Sequence, residues 1–172
     1  SLISIATNDI PVEFPPAAIE EAERAKAAPL GNRLDLRRTP LVTIDGEDAR
    51  DFDDAVFAEP DPDHPGGWHL VVAIADVAWY VRHDKPLDRA AYLRGTSVYF
   101  PDRVVPMLPE ALSNHWCSLV PREDRPVLAA EMWIDDQGHL KRHRFHRAMM
   151  RSAARLTYTR IQRAMDGAPD EE

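Results

Sequence analysis

Residues 43–56 read TIDGEDARDFDDAV, and six carboxylates crowd into this stretch: Asp45, Glu47, Asp48, Asp51, Asp53 and Asp54. Only Arg50 offers a positive charge among them. Such crowding is repulsive unless something neutralises it. Residues 41–44 are apolar enough to enter the segment as a short buried strand, and residues 55–58 leave it as a second. The carboxylates then lie on a loop at the lip of a sheet, partly out of water. A divalent ion compensates charge best in such a place, and an all-oxygen ligand set selects Mg²⁺ or Mn²⁺ over zinc. On an extended chain Asp51 and Asp53 point the same way, Asp54 turns to another side, and Asp45 arrives from the preceding strand. That arrangement suits two ions roughly 4 Å apart, the geometry used for in-line attack on phosphodiesters. A plain acidic surface loop is the alternative reading of the same residues.

Two other metal motifs fit less well. An EF-hand needs a glycine after its third oxygen ligand, and Asp51 and Asp53 are followed by Ala55 without one. Aspartate-nucleophile phosphatases place their motif directly after an apolar strand, whereas Glu47, Asp48, Ala49 and Arg50 precede Asp51.

Working outward, residues 1–32 read as a lead-in segment. VEFPP is extended because proline disfavours helix in the residue before it, and the Ala- and Glu-rich residues 17–28 form a helix stopped by Pro29 and Gly31. Beyond the acidic loop, PDPDHPGG (60–67) is a turn and residues 68–75 are a continuous apolar strand, central in its sheet. A short helix over 87–94 closes at Gly95, and the proline-punctuated residues 97–109 are irregular, as functional loops often are. Residues 127–134 form a strand, DDQG (135–138) turns, and residues 139–148 pair back as a hairpin. From Ser152 onward the chain reads as helical from a Ser or Thr cap, with GAPDEE (167–172) a frayed tail. Strands and helices interleave without a βαβ rhythm. The expected fold is α+β, a mixed, largely antiparallel sheet with helices packed on it.

With 172 residues the chain can bury a real core, and its 44% hydrophobic and 29% charged content is that of a globular protein. No apolar run approaches the roughly 18 residues of a membrane span, and no basic segment leads into an apolar one at the N-terminus. The single cysteine, Cys117, excludes an internal disulfide and fits a reducing, cytoplasmic compartment. Its setting in HWCSLV reads as a buried structural thiol. The net charge of −8 opposes nucleic-acid binding only until its distribution is considered. Residues 141–163 hold Lys141, Arg142, Arg144, Arg147, Arg151, Arg155, Arg160 and Arg163 with no carboxylate. A basic stretch beside a dense acidic focus suits an enzyme that holds cations and a polyanion; a solvated helix face is the other reading. The seven histidines lack zinc-like spacing, and Asp76, at the end of an apolar strand, reads as a turn cap.

LVTIDGEDARDFDDAV (41–56) resembles the strongest motif of the ribonuclease II and ribonuclease R family, whose catalytic part is the RNB domain. The resemblance continues through LVVAIADVAWYV (70–81), LDRAAYLRGTSVYFPDRVVPMLPEALSNHWCSL (87–119) and RPVLAAEMWID (125–135). It implies a processive, hydrolytic 3′-to-5′ exoribonuclease that acts on single-stranded RNA and releases nucleoside 5′-monophosphates with two Mg²⁺ ions. The family's four catalytic, metal-binding aspartates fall on Asp45, Asp51, Asp53 and Asp54, and Glu47 and Asp48 are additional carboxylates. Its base-stacking tyrosine falls on Tyr99 in SVYFP. Stacking is worth about 1–3 kcal/mol per base and tolerates any sequence, as a processive degrader requires; a core aromatic is the other reading of Tyr99.

The family's domain continues well past RLTYTRIQ, with a catalytic arginine, a second stacking aromatic and much of the RNA channel. Cold-shock and S1 domains flank it. The expectation is therefore a partial domain, residues 33–172 being the N-terminal portion of an RNB domain. Two alternatives stand beside the enzyme: a non-catalytic RNA-binding or regulatory fragment of the same fold, and an acidic module that binds an ion for stability alone.

Overall fold

The structure, a computed structural model, describes residues 1–168. The tail expected over 167–172 therefore lies, past Ala168, outside the described residues. In chain order the first elements are α1 (Leu2–Thr7), α2 (Pro16–Glu23), β1 (Leu34–Leu36), β2 (Val42–Asp45), β3 (Asp54–Pro60) and β4 (Trp68–Ala75). They are followed by α3 (Val77–Tyr80), α4 (Pro86–Arg94), β5 (Val98–Tyr99), β6 (Val104–Val105) and a π-type turn at Leu112–Trp116. The chain then runs through β7 (Asp124–Ile134), β8 (Leu140–Arg151), β9 (Ala154–Thr157) and α5 (Tyr158–Met165). Two compact units divide it: Ala28–Asp76 with the chain from Cys117 onward, and Ser1–Ala27 with Val77–Trp116.

The first unit is built on a sheet whose order, among the described residues, is β1-β8-β7-β4-β3-β2-β9. The inner neighbours are antiparallel, and parallel pairs, β1 with β8 and β2 with β9, form the two edges. The fold is thus the expected mixed, largely antiparallel sheet. The apolar run of β4 does sit centrally, with β3 on one side and β7 on the other. Side chains alternate along a strand, so Val71, Ala73 and Ala75 share one face with Ala55, Val127, Ala129 and Ala148, all buried. The opposite face carries Ile74, Leu128 and Phe145 in exposed positions. The turn before β4 depends on glycine: a Cβ at Gly67 would meet the carbonyl oxygen of Ile134 at 2.9 Å.

Three expectations are corrected here. The chain from Ser152 is first a strand, β9, because residues 154–157 find a parallel partner in β2; the helix begins only at Tyr158. There Thr157 supplies the cap, its hydroxyl accepting the Arg160 N–H at 3.2 Å. Residues 97–109 are not wholly irregular, since Val98 and Tyr99 pair with Val105 and Val104. The basic residues 141–163 are not one helix face, because they span β8, β9 and α5.

In the second unit α2 packs on α4, with Ala18, Ala22, Leu87 and Ala90 buried. Glu21 accepts the Leu87 N–H at 3.0 Å, satisfying a donor of the first turn of α4. Pro86 opens that helix and Gly95, at φ +72°, closes it as expected. Arg94 lies over the Phe14 ring at 3.7 Å and donates to the Glu13 carbonyl at 2.7 Å. Among the described residues, no helix is long and apolar enough to cross a membrane.

Candidate metal centre

The sheet itself gathers the aspartates. Asp45 is the last residue of β2, opposite Thr157 of β9, and Asp54 is the first of β3, opposite Ile74. Because β2 and β3 are antiparallel, both positions fall at the same end of the sheet. Asp51 and Asp53 lie in the final part of the connecting loop. The predicted lip is therefore present, and it holds the four carboxylates singled out from the sequence.

Electrostatics couples them. Burial, followed by the charge of Asp54, raises the pKa of Asp45 above its ordinary value. Asp53 keeps contact with solvent, yet desolvation and then the charges of Asp51, Asp54 and Asp45 push it up to about 6. Oδ2 of Asp45 is buried and accepts no hydrogen bond. An acceptor left in that condition costs free energy that a cation would recover. The donor set, all carboxylate oxygen, suits a hard divalent cation. Among the described residues, no three His, Cys, Asp or Glu side chains converge closely enough to hold one ion.

What holds the loop is a set of contacts that residue counting does not reveal. The Ser118 hydroxyl accepts the Phe52 N–H at 3.1 Å and donates to the Arg50 carbonyl at 3.0 Å, so it bridges Asp51. The Phe52 carbonyl accepts the Leu119 N–H at 2.8 Å, and the Asp53 carbonyl accepts the Ala75 N–H at 2.9 Å. At the Asp45 end, Arg155 donates to the carbonyls of Gly46 and Glu47, at 3.0 and 2.5 Å. Its guanidinium lies 5.1 Å from the Phe52 ring, which is buried.

Asp76, expected to cap a turn, instead forms an ion pair with Arg33 at 2.8 Å, both side chains more than nine-tenths buried. Its N–H donates to the Pro126 carbonyl. Cys117 is buried as expected, and burial, with Asp53 adding repulsion, pushes its thiol up to about 12. Burial thus disfavours the thiolate form that a nucleophile requires. Tyr99 belongs to the other unit; at 65% exposure its ring is not part of a core. On β8, Arg142 lies over the Trp133 ring at 3.7 Å, and His69 stacks on the same ring at 4.8 Å. His146 is engaged by Glu131 at 2.8 Å.

The class that the fold defines is a mixed, largely antiparallel sheet with aspartates at one strand end. The RNB domain family matches residues 33–172, and the chain belongs to that family. It is 53% identical over 175 residues to a Ribonuclease R of Vibrio parahaemolyticus, covering 99% of this chain and 20% of that protein. Mycoplasma genitalium RNase R in complex with double-stranded RNA superposes with a TM-score of 0.90 at 32% identity, covering 96% of this chain and 30% of the other. The same enzyme in complex with ribose-methylated single-stranded RNA gives 0.90 at 32% identity, covering 96% and 26%. The chain thus spans about a fifth of the length of that curated relative.

Proposed function

We propose that this chain is the aspartate-bearing portion of a metal-dependent exoribonuclease that hydrolyses single-stranded RNA from its 3′ end to nucleoside 5′-monophosphates. The observation that carries the reading is the lip itself, where β2 and β3 bring Asp45 and Asp54 to one end of the sheet, the charges of Asp51, Asp54 and Asp45 press on Asp53, and a buried Asp45 oxygen lacks a hydrogen bond. Family membership supports it, as do the RNA complexes of the Mycoplasma genitalium enzyme. The four aspartates would hold Mg²⁺, with Mn²⁺ as a substitute. When bound, the ions supply charge stabilisation for the attacking and leaving oxygens of the phosphodiester. The chain's own part is to present the carboxylates from a fixed loop and to offer the exposed Tyr99 ring to a base by stacking. The reading also places the protein in the cytoplasm, where its one cysteine needs no partner.

Exchanging this chain for the matching segment of the Vibrio parahaemolyticus protein gives an enzyme of natural length for the test. With Mg²⁺ the chimera should shorten 5′-labelled single-stranded RNA progressively from the 3′ end, and EDTA should stop it. Asp53→Asn should abolish cleavage at nearly unchanged RNA retention, because it alters charge stabilisation worth several kcal/mol of barrier and leaves the binding surface intact. A parallel fall in retention and rate would make Asp53 an affinity residue and defeat the catalytic reading. A second reading, a non-catalytic RNA-binding or regulatory fragment, draws on the lack of three converging ligands among the described residues. It predicts retention without cleavage in both chimeras.

A further inference from the structure

We propose that Ser118 is a positioning residue for the aspartate lip, and that Arg155 secures the other end of the same loop. The inference rests on the metal-binding reading of the four aspartates and adds how they are held. Ser118 has 0% exposure, and its single hydroxyl makes two bonds to the loop, one as acceptor and one as donor. Those bonds fall on Phe52 and Arg50, the neighbours of Asp51, and Phe52 is also the residue before Asp53. The bridge fixes the backbone from which both carboxylates project. A hydroxyl suits this task because it is the smallest group able to donate and accept at once. Without it, a buried N–H and a carbonyl would both lose their partner, and the loop would gain a reason to move.

Arg155 acts on residues 46 and 47, just after Asp45. Two carbonyls draw on one guanidinium nitrogen, and the Phe52 ring lies beside the group. The loop is therefore fastened at its beginning by β9 and at its end by the segment that follows Cys117. Both fastenings come from far along the chain: 66 residues separate Phe52 from Ser118, and 109 separate Gly46 from Arg155. Preorganisation of this kind lets an ion be bound without the binding energy being consumed in ordering the loop.

The test uses Mn²⁺ as the probe, with the whole chain stripped of ions beforehand. Ser118→Ala should weaken Mn²⁺ binding by about tenfold or more, the usual effect of losing an outer-shell partner. Ser118→Thr, which keeps the hydroxyl, should retain more of the affinity than Ser118→Ala. In the ion-free protein, amide exchange should quicken at Leu119 and Ala75, whose N–H groups bond to the loop carbonyls, while amides in the β7–β8 hairpin stay protected. Arg155→Ala should also weaken Mn²⁺, with Arg155→Lys in between. A merely structural serine predicts a different pattern, in which Ser118→Ala lowers the melting temperature yet leaves Mn²⁺ affinity within twofold of wild type; that pattern overturns the proposal alone. If wild type itself takes up no Mn²⁺, both this inference and the metal reading beneath it are wrong.

Discussion

Asp53 shows most clearly what the lip demands of its residues. Its carboxyl sits near 6, above the ordinary value of 3.8, through desolvation and the charges of Asp51, Asp54 and Asp45. The folded chain therefore holds that proton more tightly than the unfolded chain does. The stabilisation is fully present below the unfolded value and is lost as pH rises through about 6. At neutral pH the ion-free fold carries an ionised group in an unfavourable place, a burden that Asp53→Asn removes. Melting temperatures of ion-free wild type and Asp53→Asn should diverge between pH 5 and pH 7.5, in favour of the variant at the higher value. A difference that stays constant over that range would show that the lip does not press on Asp53. Tyr99 makes the opposite case, a residue with most of its surface exposed. Tyr99→Ala in the chimera should release a longer limit product, Tyr99→Phe should be mild, and neither should shift the melt by several degrees. A lowered melting temperature with the wild-type end product would assign Tyr99 to structure instead.

At the scale of elements, legibility followed the distance over which a signal is carried. The strand β4 was readable to its ends because eight residues of apolar, β-rich sequence carry their own preference. The helix α4 was readable from Gly95 at its C-terminus, and the turn of the β7–β8 hairpin from DDQG. Of the strands that escaped notice, β1 and β9 have three and four residues and lie at the edges of the large sheet. Each owes its conformation to a parallel partner distant in sequence, β1 to residues 148–150 and β9 to β2. No local pattern announces such a pairing. The site divides in the same way. The aspartates were legible because their density is a local property and demands compensation. Ser118 and Arg155 were not, since each acts through the backbone of a loop that only folding brings near. Asp76 looked like a cap for the same reason, its partner Arg33 being 43 positions earlier in the numbering.

For the molecule as a whole, an overall charge of −8 conceals a division of labour. Six carboxylates are concentrated between Asp45 and Asp54, while eight cations follow between Lys141 and Arg163 without one. Part of the second group is spent on structure: Arg142 covers Trp133, Arg151 bonds to Asp124 at 2.8 Å, and Arg155 holds the acidic loop. The sheet is what makes the first group useful, since antiparallel β2 and β3 deliver Asp45 and Asp54 to one end. On the proposed reading, that end of the sheet is a divalent-cation site. Titration calorimetry with Mn²⁺ on the ion-free chain, repeated on Asp45→Asn, Asp53→Asn and Asp54→Asn, tests it most directly. Saturable heat is expected in wild type and clearly weaker binding in each variant, whereas a wild-type titration without heat, or isotherms that all three substitutions leave unchanged, would rule the site out.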